Sequence, residues 1–354
     1  MTGVGRLVDP TAMNPVPLDL EAPPTAFDRL AEHTLGGAAL SRVESREVLL
    51  TPDESLPDLL RAAFRVRSRH WGKRVKICVL RNARSGLCPE DCGYCSQSAV
   101  STADIDTYRL LPHEELLAAA RGAIERGARR YCMVTSGRGP SDRDVEHFCA
   151  ATREIKQLYP DLEICVSLGL MDEPKARRLA DAGVGWVNHN LNTSERHHPA
   201  ICSTHTYADR VATVLAAKAA GLNTCCGGII GMGESDEDVI DLGFALRELG
   251  VDSLPLNFLH PIPGTPLGAT PSMAAGRALR ALCLMRFLNP EADIRAAGGR
   301  ERTLGDWQSL VLYPANSIFV NGYLTTPGQA AAEARTMCET LGFALENEIE
   351  TVAG

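Results

Sequence analysis

The sequence predicts a (β/α)8 barrel, a TIM-type α/β fold, on three observations. Eight short β-like runs recur along the chain, and Ala/Leu/Arg/Glu-rich helical stretches separate most of them. The series occupies about 250 residues, which is the size and order of that barrel. The runs are VKICVL (75–80), RRYCMVTS (129–136), LEICVSLG (162–169), GWVNHNLN (185–192), NTCCGGIIG (223–231), SLPLNFLH (253–260), DIRAAGG (293–299) and SIFVNG (317–322). The same alternation also admits a doubly wound open sheet.

Each element has a local reason. Residues 1–25 hold five of the 21 prolines and no sustained periodicity, and read as a disordered tail. The barrel domain is expected over 26–345, with a short C-terminal tail at 346–354. AFDRLAEHTL and ESLPDLLRAAFRVRSRHWG repeat apolar residues at helical spacing ahead of the first strand. HEELLAAARGAIERG (113–127), TYADRVATVLAAKAAG (206–221) and AAGRALRALCLMRFL (274–288) are crossover helices. The seventh helix, in 301–315, has the poorest pattern.

Strand parity carries a second message, because successive residues point to opposite faces. Glu163, Cys165 and Ser167 share one face, opposite Ile164, Val166 and Leu168. Asn188, Asn190 and Asn192 oppose Val187, His189 and Leu191, and Asn257 opposes Leu254, Leu256 and Phe258. The apolar faces suit a ring of helices, so the polar and cysteine-bearing faces turn into the barrel. Ordinary barrels fill that interior with branched apolar side chains. This interior is built for chemistry.

Composition bounds the reading. The chain has 354 residues, 45 % hydrophobic and 23 % charged, which excludes a wholly disordered or collagen-like protein. A net charge of −8 gives no broad electrostatic grip on nucleic acid or an anionic membrane. No basic start followed by an apolar run marks a signal peptide, and no apolar stretch reaches the roughly 20 residues of a bilayer span. A cytoplasmic setting is therefore expected, where cysteines more often bind metal or catalyse than form disulfides. There are 12 of them.

Cys88, Cys92 and Cys95 stand just after the first strand, in the segment SGLCPEDCGYCSQS, spaced C-x3-C-x2-C. Three thiolates on one loop at the C-terminal end of a barrel strand converge on one soft metal centre. A zinc ribbon brings two C-x2-C pairs, and this loop has no fourth Cys or His. Cys132, Cys165 and Cys225 lie on inward faces of later strands and are candidates for a second, smaller iron–sulfur centre. Arg295, on the seventh strand, is an odd residue to bury in an apolar core. Cys78, Cys149, Cys202, Cys226, Cys283 and Cys338 read as inert small hydrophobes.

The first loop, with an aromatic (Tyr94) before its third Cys, resembles the radical S-adenosylmethionine enzymes. The segments CPEDCGYCSQ, RYCMV, NHNLNTS, CCGGIIGMGE, LNFLHPIPGTPL, AGGRE and ANSIFVNGYLTTPG together resemble the biotin synthase family, in order, from about 50 to 340. The resemblance implies a [4Fe–4S] cluster on Cys88, Cys92 and Cys95, whose open iron chelates S-adenosylmethionine. It implies a [2Fe–2S] cluster on Cys132, Cys165, Cys225 and Arg295. In that family reductive cleavage of S-adenosylmethionine gives a 5′-deoxyadenosyl radical that abstracts hydrogen from dethiobiotin. Sulfur from the smaller cluster then enters between two saturated carbons, and two hydrogens imply two S-adenosylmethionine molecules. Neither carbon is acidic, so no general acid or base is nominated.

By the same resemblance Asn190 and Asn257 bond the ureido ring, and Thr325 and Thr326 the substrate carboxylate. Arg210 faces the S-adenosylmethionine carboxylate, with Tyr94, Asn190, Asn192, Gly231 and Gly233 completing the cofactor contacts. Read without it, the threonines are polar loop residues, Arg210 is a solvated helix residue, and GGIIGMGE lacks the full dinucleotide fingerprint. The family usually has an acidic residue at the position of Asn192, and Asn makes a weaker, uncharged contact there. An external electron donor of flavodoxin type and a homodimer are also implied. Two other readings share part of the pattern. A different radical S-adenosylmethionine enzyme need not have the inward trio with Arg295, and a plain iron–sulfur electron carrier has no use for a polar barrel.

Overall fold

The computed structural model describes residues 25–346. Apart from Thr25, which caps the first helix, and Glu346, the segments expected as tails lie outside the described residues. Strands β1 (Arg74–Arg84), β2 (Arg130–Thr135), β3 (Glu163–Ser167), β4 (Trp186–Asn188), β5 (Asn223–Cys225), β6 (Gly228–Ile230), β7 (Ser253–Phe258), β8 (Asp293–Ala296) and β9 (Ser317–Phe319) form one parallel sheet. It closes where β9 returns to β1, with Lys76 opposite Ser317 and Cys78 opposite Phe319. Closure excludes the open-sheet alternative. The fold is an eight-stranded barrel in which β5 and β6 are two pieces of the fifth strand, both paired with β7.

The break in that fifth strand has a steric cause. At Gly227 a Cβ would stand 1.9 Å from the Pro255 carbonyl oxygen, so only glycine lets the backbone pass this close to β7. The fourth run is also cut short. β4 ends at Asn188, and Asn192 takes a left-handed φ of 71°. Alternation therefore fails beyond β4, and His189, expected to face outward, lines the interior instead.

Elsewhere the parity holds. Ile77, Val79, Tyr131, Met133, Ile164, Val166, Leu254, Leu256, Phe258 and Ile294 are buried in one apolar core between sheet and helices. Their neighbours along each strand face the barrel interior. The expected seventh helix is a single turn, Arg300–Leu304, followed by a 3-10 segment, Gly305–Leu312, which is why no 3.6-residue period was visible there. The sequence reading missed the two-residue strand β10 (Ala344–Leu345), which adds to the start of β1 and is too short to show a period.

The helix Tyr207–Ala219 matters to the site because its first turn carries Arg210. Thr206 and Asp209 cap it reciprocally, the Thr206 hydroxyl accepting from the Asp209 N–H and the Asp209 carboxylate from the Thr206 N–H. A cap of this kind is worth about 1 kcal/mol and fixes the direction in which that turn begins.

Candidate active site

The C-terminal ends of the strands surround a cavity of about 380 Å³. Of the sixteen residues singled out from sequence, fourteen line it: Cys88, Cys92, Tyr94, Cys95, Cys132, Cys165, Asn190, Asn192, Arg210, Cys225, Asn257, Arg295, Thr325 and Thr326. Gly231 and Gly233 do not. They take left-handed φ values of 99° and 94°, and the Gly231 N–H is engaged with Glu234 at 2.8 Å. From GGIIGMGE only Ile229 reaches the wall.

At the mouth, the cysteine loop leaves β1 and is tied down on three sides. The Gly93 N–H donates to the Ile201 carbonyl at 2.8 Å, and the Leu267 N–H donates to the Gly93 carbonyl at 3.1 Å. The Asp91 carboxylate accepts from the backbone of Ser203 at 2.9 Å and of Thr204 at 3.2 Å. The Gln97 carbonyl oxygen accepts from Asn82 at 3.1 Å and from the Gly86 N–H at 3.2 Å. All twelve cysteines carry free thiols. Burial pushes the Cys95 thiol above its ordinary range, so it is protonated until metal displaces the proton.

Beside that loop Tyr94, Asn192 and Arg210 form one unit. With its amide oxygen turned inward, Asn192 accepts from both terminal nitrogens of Arg210 at 3.1 Å and from the Tyr94 hydroxyl at 2.6 Å. Arg210 also donates to the Asn190 carbonyl at 2.9 Å. Arg210 is therefore buried and fixed, not a solvated helix residue. Thr325 shares a 2.7 Å hydrogen bond with Ser96, which joins the loop after the last barrel strand to the cysteine loop.

Deeper in the barrel the register sets a belt. Cys132 lies opposite Cys165, Asn188 opposite Cys225, and Pro255 opposite Arg295. Cys226 is fully buried but belongs to the outer apolar core and does not line the cavity, as parity required. A hydrogen bond with Cys132, and then burial, hold the Cys165 thiol well above its usual range. Asn188 donates to the Cys225 Sγ at 3.4 Å. Arg295 is gripped from every side. Its Nη1 is 3.4 Å from the Cys225 Sγ, its Nε is 3.0 Å from the Ser317 hydroxyl, and its Nη2 is 3.3 Å from both Ser253 and Asp293. Despite the burial, its nearby anions and thiols hold its pKa well above the ordinary value, so it stays a cation.

Sequence reasoning missed the surroundings of this belt. Cys78, which its sequence context presents as an inert hydrophobe, also lines the cavity, 3.5 Å from the Ser317 hydroxyl. Arg130 lines it too, 3.5 Å above the Trp186 ring and 2.7 Å from Glu163. Parity held the signal for both. Cys78 lies between the outward Ile77 and Val79, and Arg130 shares the face of Cys132.

The donors fit two iron–sulfur centres. Three thiols on one pinned loop leave one position of a four-iron cluster open, beside a fixed guanidinium and a tyrosine. Three further thiols meet two buried guanidiniums, and Arg130 Nη2 has no hydrogen-bond partner among the described residues. Buried cations in that number suit a centre made anionic by thiolates and sulfides.

The chain matches the Radical SAM superfamily over residues 84–244 and the Biotin and Thiamin Synthesis associated domain over residues 255–344. The crystal structure of methylornithine synthase (PylB) shares the fold, with a TM-score of 0.79 over 92 % of this chain and 99 % of that one, at 20 % identity. A closed barrel with this loop at its mouth is thus a radical S-adenosylmethionine enzyme. The chain is 50 % identical to the biotin synthase of Geobacillus kaustophilus (strain HTA426), covering 90 % of this chain and 95 % of that protein. It is 49 % identical to the biotin synthase of Bacillus subtilis (strain 168), covering 92 % and 96 %. The chain belongs to the biotin synthase family, whose cofactors are a [4Fe–4S] cluster, S-adenosylmethionine and a [2Fe–2S] cluster.

Proposed function

We propose that the chain converts dethiobiotin to biotin in this single cavity, with the two cysteine trios as separate cluster sites at its two depths. The observation that carries the reading is their placement: one trio at the mouth, the other on β2, β3 and β5, with the amides of Asn190 and Asn257 in the same wall. Bound together, the [4Fe–4S] cluster and S-adenosylmethionine supply the one-electron chemistry that removes hydrogen from unactivated carbon. The [2Fe–2S] cluster is the sulfur-donating substrate.

The protein's task is to bind, orient and seal. Cys88, Cys92 and Cys95 hold the larger cluster. Arg210, locked by Asn192 and the Asn190 carbonyl, meets the carboxylate of S-adenosylmethionine without spending rotamer freedom at that moment. Asn192 has its oxygen committed to Arg210 and Tyr94 and contributes to the cofactor through them. This explains how an uncharged residue serves where the family usually has an acidic one.

Asn190 and Asn257 orient the substrate's ureido ring. The Asn257 amide donates to the Gly228 carbonyl at 3.1 Å and accepts from the Gly298 N–H at 2.9 Å. The Asn190 oxygen accepts from the Gly227 N–H at 3.1 Å. It also accepts from the Asn188 amide at 3.3 Å, so Asn190 keeps donor capacity for the ring's C=O, while Asn257 keeps both a donor and an acceptor for a ring that displays N–H and C=O. Thr325 and Thr326 hold the carboxylate end. No described helix is long and apolar enough to cross a membrane. An electron donor is required, and we assign a flavodoxin-type protein to that role, a homodimer as the assembly and the cytoplasm as the setting.

The test is anaerobic reconstitution with dethiobiotin, S-adenosylmethionine and a reductant, assayed for biotin. Asn257→Ala should raise KM for dethiobiotin by tenfold or more, since an unmade hydrogen bond to a buried group costs about 1–3 kcal/mol. Cluster content should not change. Wild-type KM in Asn257→Ala, or no biotin from the fully loaded protein, would overturn the reading.

A further inference from the structure

Cys92 has a second set of partners, which the chemistry above does not use. Cys202 follows the short helix His198–Ile201, and its Sγ lies 3.7 Å from the Cys92 Sγ. The ring nitrogens of His205 lie 3.3 Å (Nδ1) and 3.7 Å (Nε2) from the Cys202 Sγ. Ligand atoms of Cys92, Cys202 and His205 all fall within 4.8 Å of one another, and all three residues are buried. Cys202 is thus not an inert hydrophobe, and His205 is buried beside it.

The spacing is that of a tetrahedral cation. Zinc bonds of about 2.3 Å to sulfur and 2.0–2.1 Å to nitrogen put two thiolates about 3.8 Å apart and a thiolate about 3.5 Å from an imidazole nitrogen. The 3.7 Å separations of the Cys202 Sγ from the Cys92 Sγ and from the His205 Nε2 match those values within the tolerance of such sites. Carboxylates complete the surroundings. The Asp91 Oδ1 is 3.2 Å from the Cys202 Sγ, in reach of the fourth position. Glu90 is hydrogen-bonded to the His205 Nδ1 and Arg138 lies 3.2 Å from Glu90, so the imidazole is anchored through Nδ1 and offers Nε2 to the cation. Soft thiols with imidazole select zinc-type ions over calcium or magnesium.

We propose that Cys92, Cys202 and His205, with Asp91, form a site for a thiophilic divalent cation of the zinc type. It fills when the four-iron cluster is absent, and it competes with that cluster for Cys92. The competition rests on the reading of Cys92 as a cluster ligand, whereas the cation site itself does not. A cation here keeps the cysteine loop joined to the 202–205 segment and shields two thiols from oxidation. It also withholds one of the three ligands that cluster assembly needs.

The experiment uses full-length protein that keeps its [2Fe–2S] cluster but lacks the four-iron cluster, kept anaerobic and titrated with Zn²⁺ alone against a chromophoric chelator. Wild type should bind one zinc tightly. Cys202→Ser and His205→Gln should each weaken binding by more than about tenfold, while Cys88→Ala leaves it unchanged. Zinc-loaded wild type should rebuild its [4Fe–4S] absorption more slowly than zinc-free protein, and Cys202→Ser should show no such delay. Retention of the [2Fe–2S] absorption in each variant confirms that it is folded, and two different ligand variants guard against one that is not.

The proposal is overturned if zinc does not bind, or if neither Cys202→Ser nor His205→Gln alters its affinity. It is also overturned if Cys88→Ala weakens zinc as much as they do, which would place the cation on the cysteine loop alone. Cys92→Ala separates the two readings. Loss of zinc with a retained [4Fe–4S] cluster would uphold the cation site and refute the cluster assignment.

Discussion

Cys92→Ala is expected to abolish reductive cleavage of S-adenosylmethionine, with a loss above about a thousandfold, or ~4 kcal/mol. Two thiolates cannot hold three irons of a four-iron cluster and leave the fourth iron open for chelation. The position has no local substitute. The loop that carries Cys92 is pinned by Gly93 on either side and by Asp91 below, so Cys88 and Cys95 cannot slide to share the load. Cys202 lies nearest, but its hydrogen bonds to Asp91 and His205 hold it outside the trio. The same variant should keep the [2Fe–2S] absorption, because Cys132, Cys165 and Cys225 come from strands that the mutation does not touch. Product analysis for methionine, beside a visible spectrum, checks both halves. Cleavage at the wild-type rate would remove Cys92 from the cluster.

The second large effect separates the members of the deeper site. Cys165→Ala should lose the smaller cluster and all biotin formation. Arg295→Lys should still assemble it and retain activity within about a hundredfold, ~2.7 kcal/mol. The reason lies in what each side chain offers. A thiolate makes a strong anionic bond to iron, whereas a guanidinium is a cation at any working pH and binds metal only by giving up its proton. Asp293, Ser253 and Ser317 hold Arg295 against the Cys225 sulfur as a fixed positive charge. Lysine preserves that charge and can reach Asp293 with one ammonium group. Arg130 remains as the second cation in the wall. Equal and complete loss of cluster absorption in Arg295→Lys and Cys165→Ala would show the arginine to be an indispensable ligand.

Much of this architecture was legible in the chain because barrels enforce parity. Ile164 and Val166 out, Cys165 in; Leu254, Leu256 and Phe258 out, Asn257 in: each pair follows from a period of two and a buried outer face. The cysteine loop was legible because its spacing is local. What escaped is informative. His189 was misplaced because β4 ends at Asn188, and nothing in an apolar-polar run announces where the ladder stops. Gly231 and Gly233 looked like a cofactor edge, but a glycine-rich segment does not say whether its N–H groups are free, and the Gly231 N–H serves Glu234. Cys202 and His205 come within reach of Cys92 across 110 residues of chain. No spacing rule covers such a contact, since it depends on how two loops fold over one barrel mouth. Cys78 and Arg130 were within reach of parity and went unread because the surrounding residues supplied no pattern of chemistry to attach them to.

The central claim is that the deeper cysteine belt holds the sulfur that enters the product. The measurement is the mass of biotin formed in one turnover by protein whose [2Fe–2S] cluster was rebuilt with isotopically labelled sulfide, with no other labelled sulfur present. Product carrying the label, formed in step with loss of the [2Fe–2S] absorption, is the predicted result. Unlabelled biotin from a protein whose smaller cluster stays intact would contradict it.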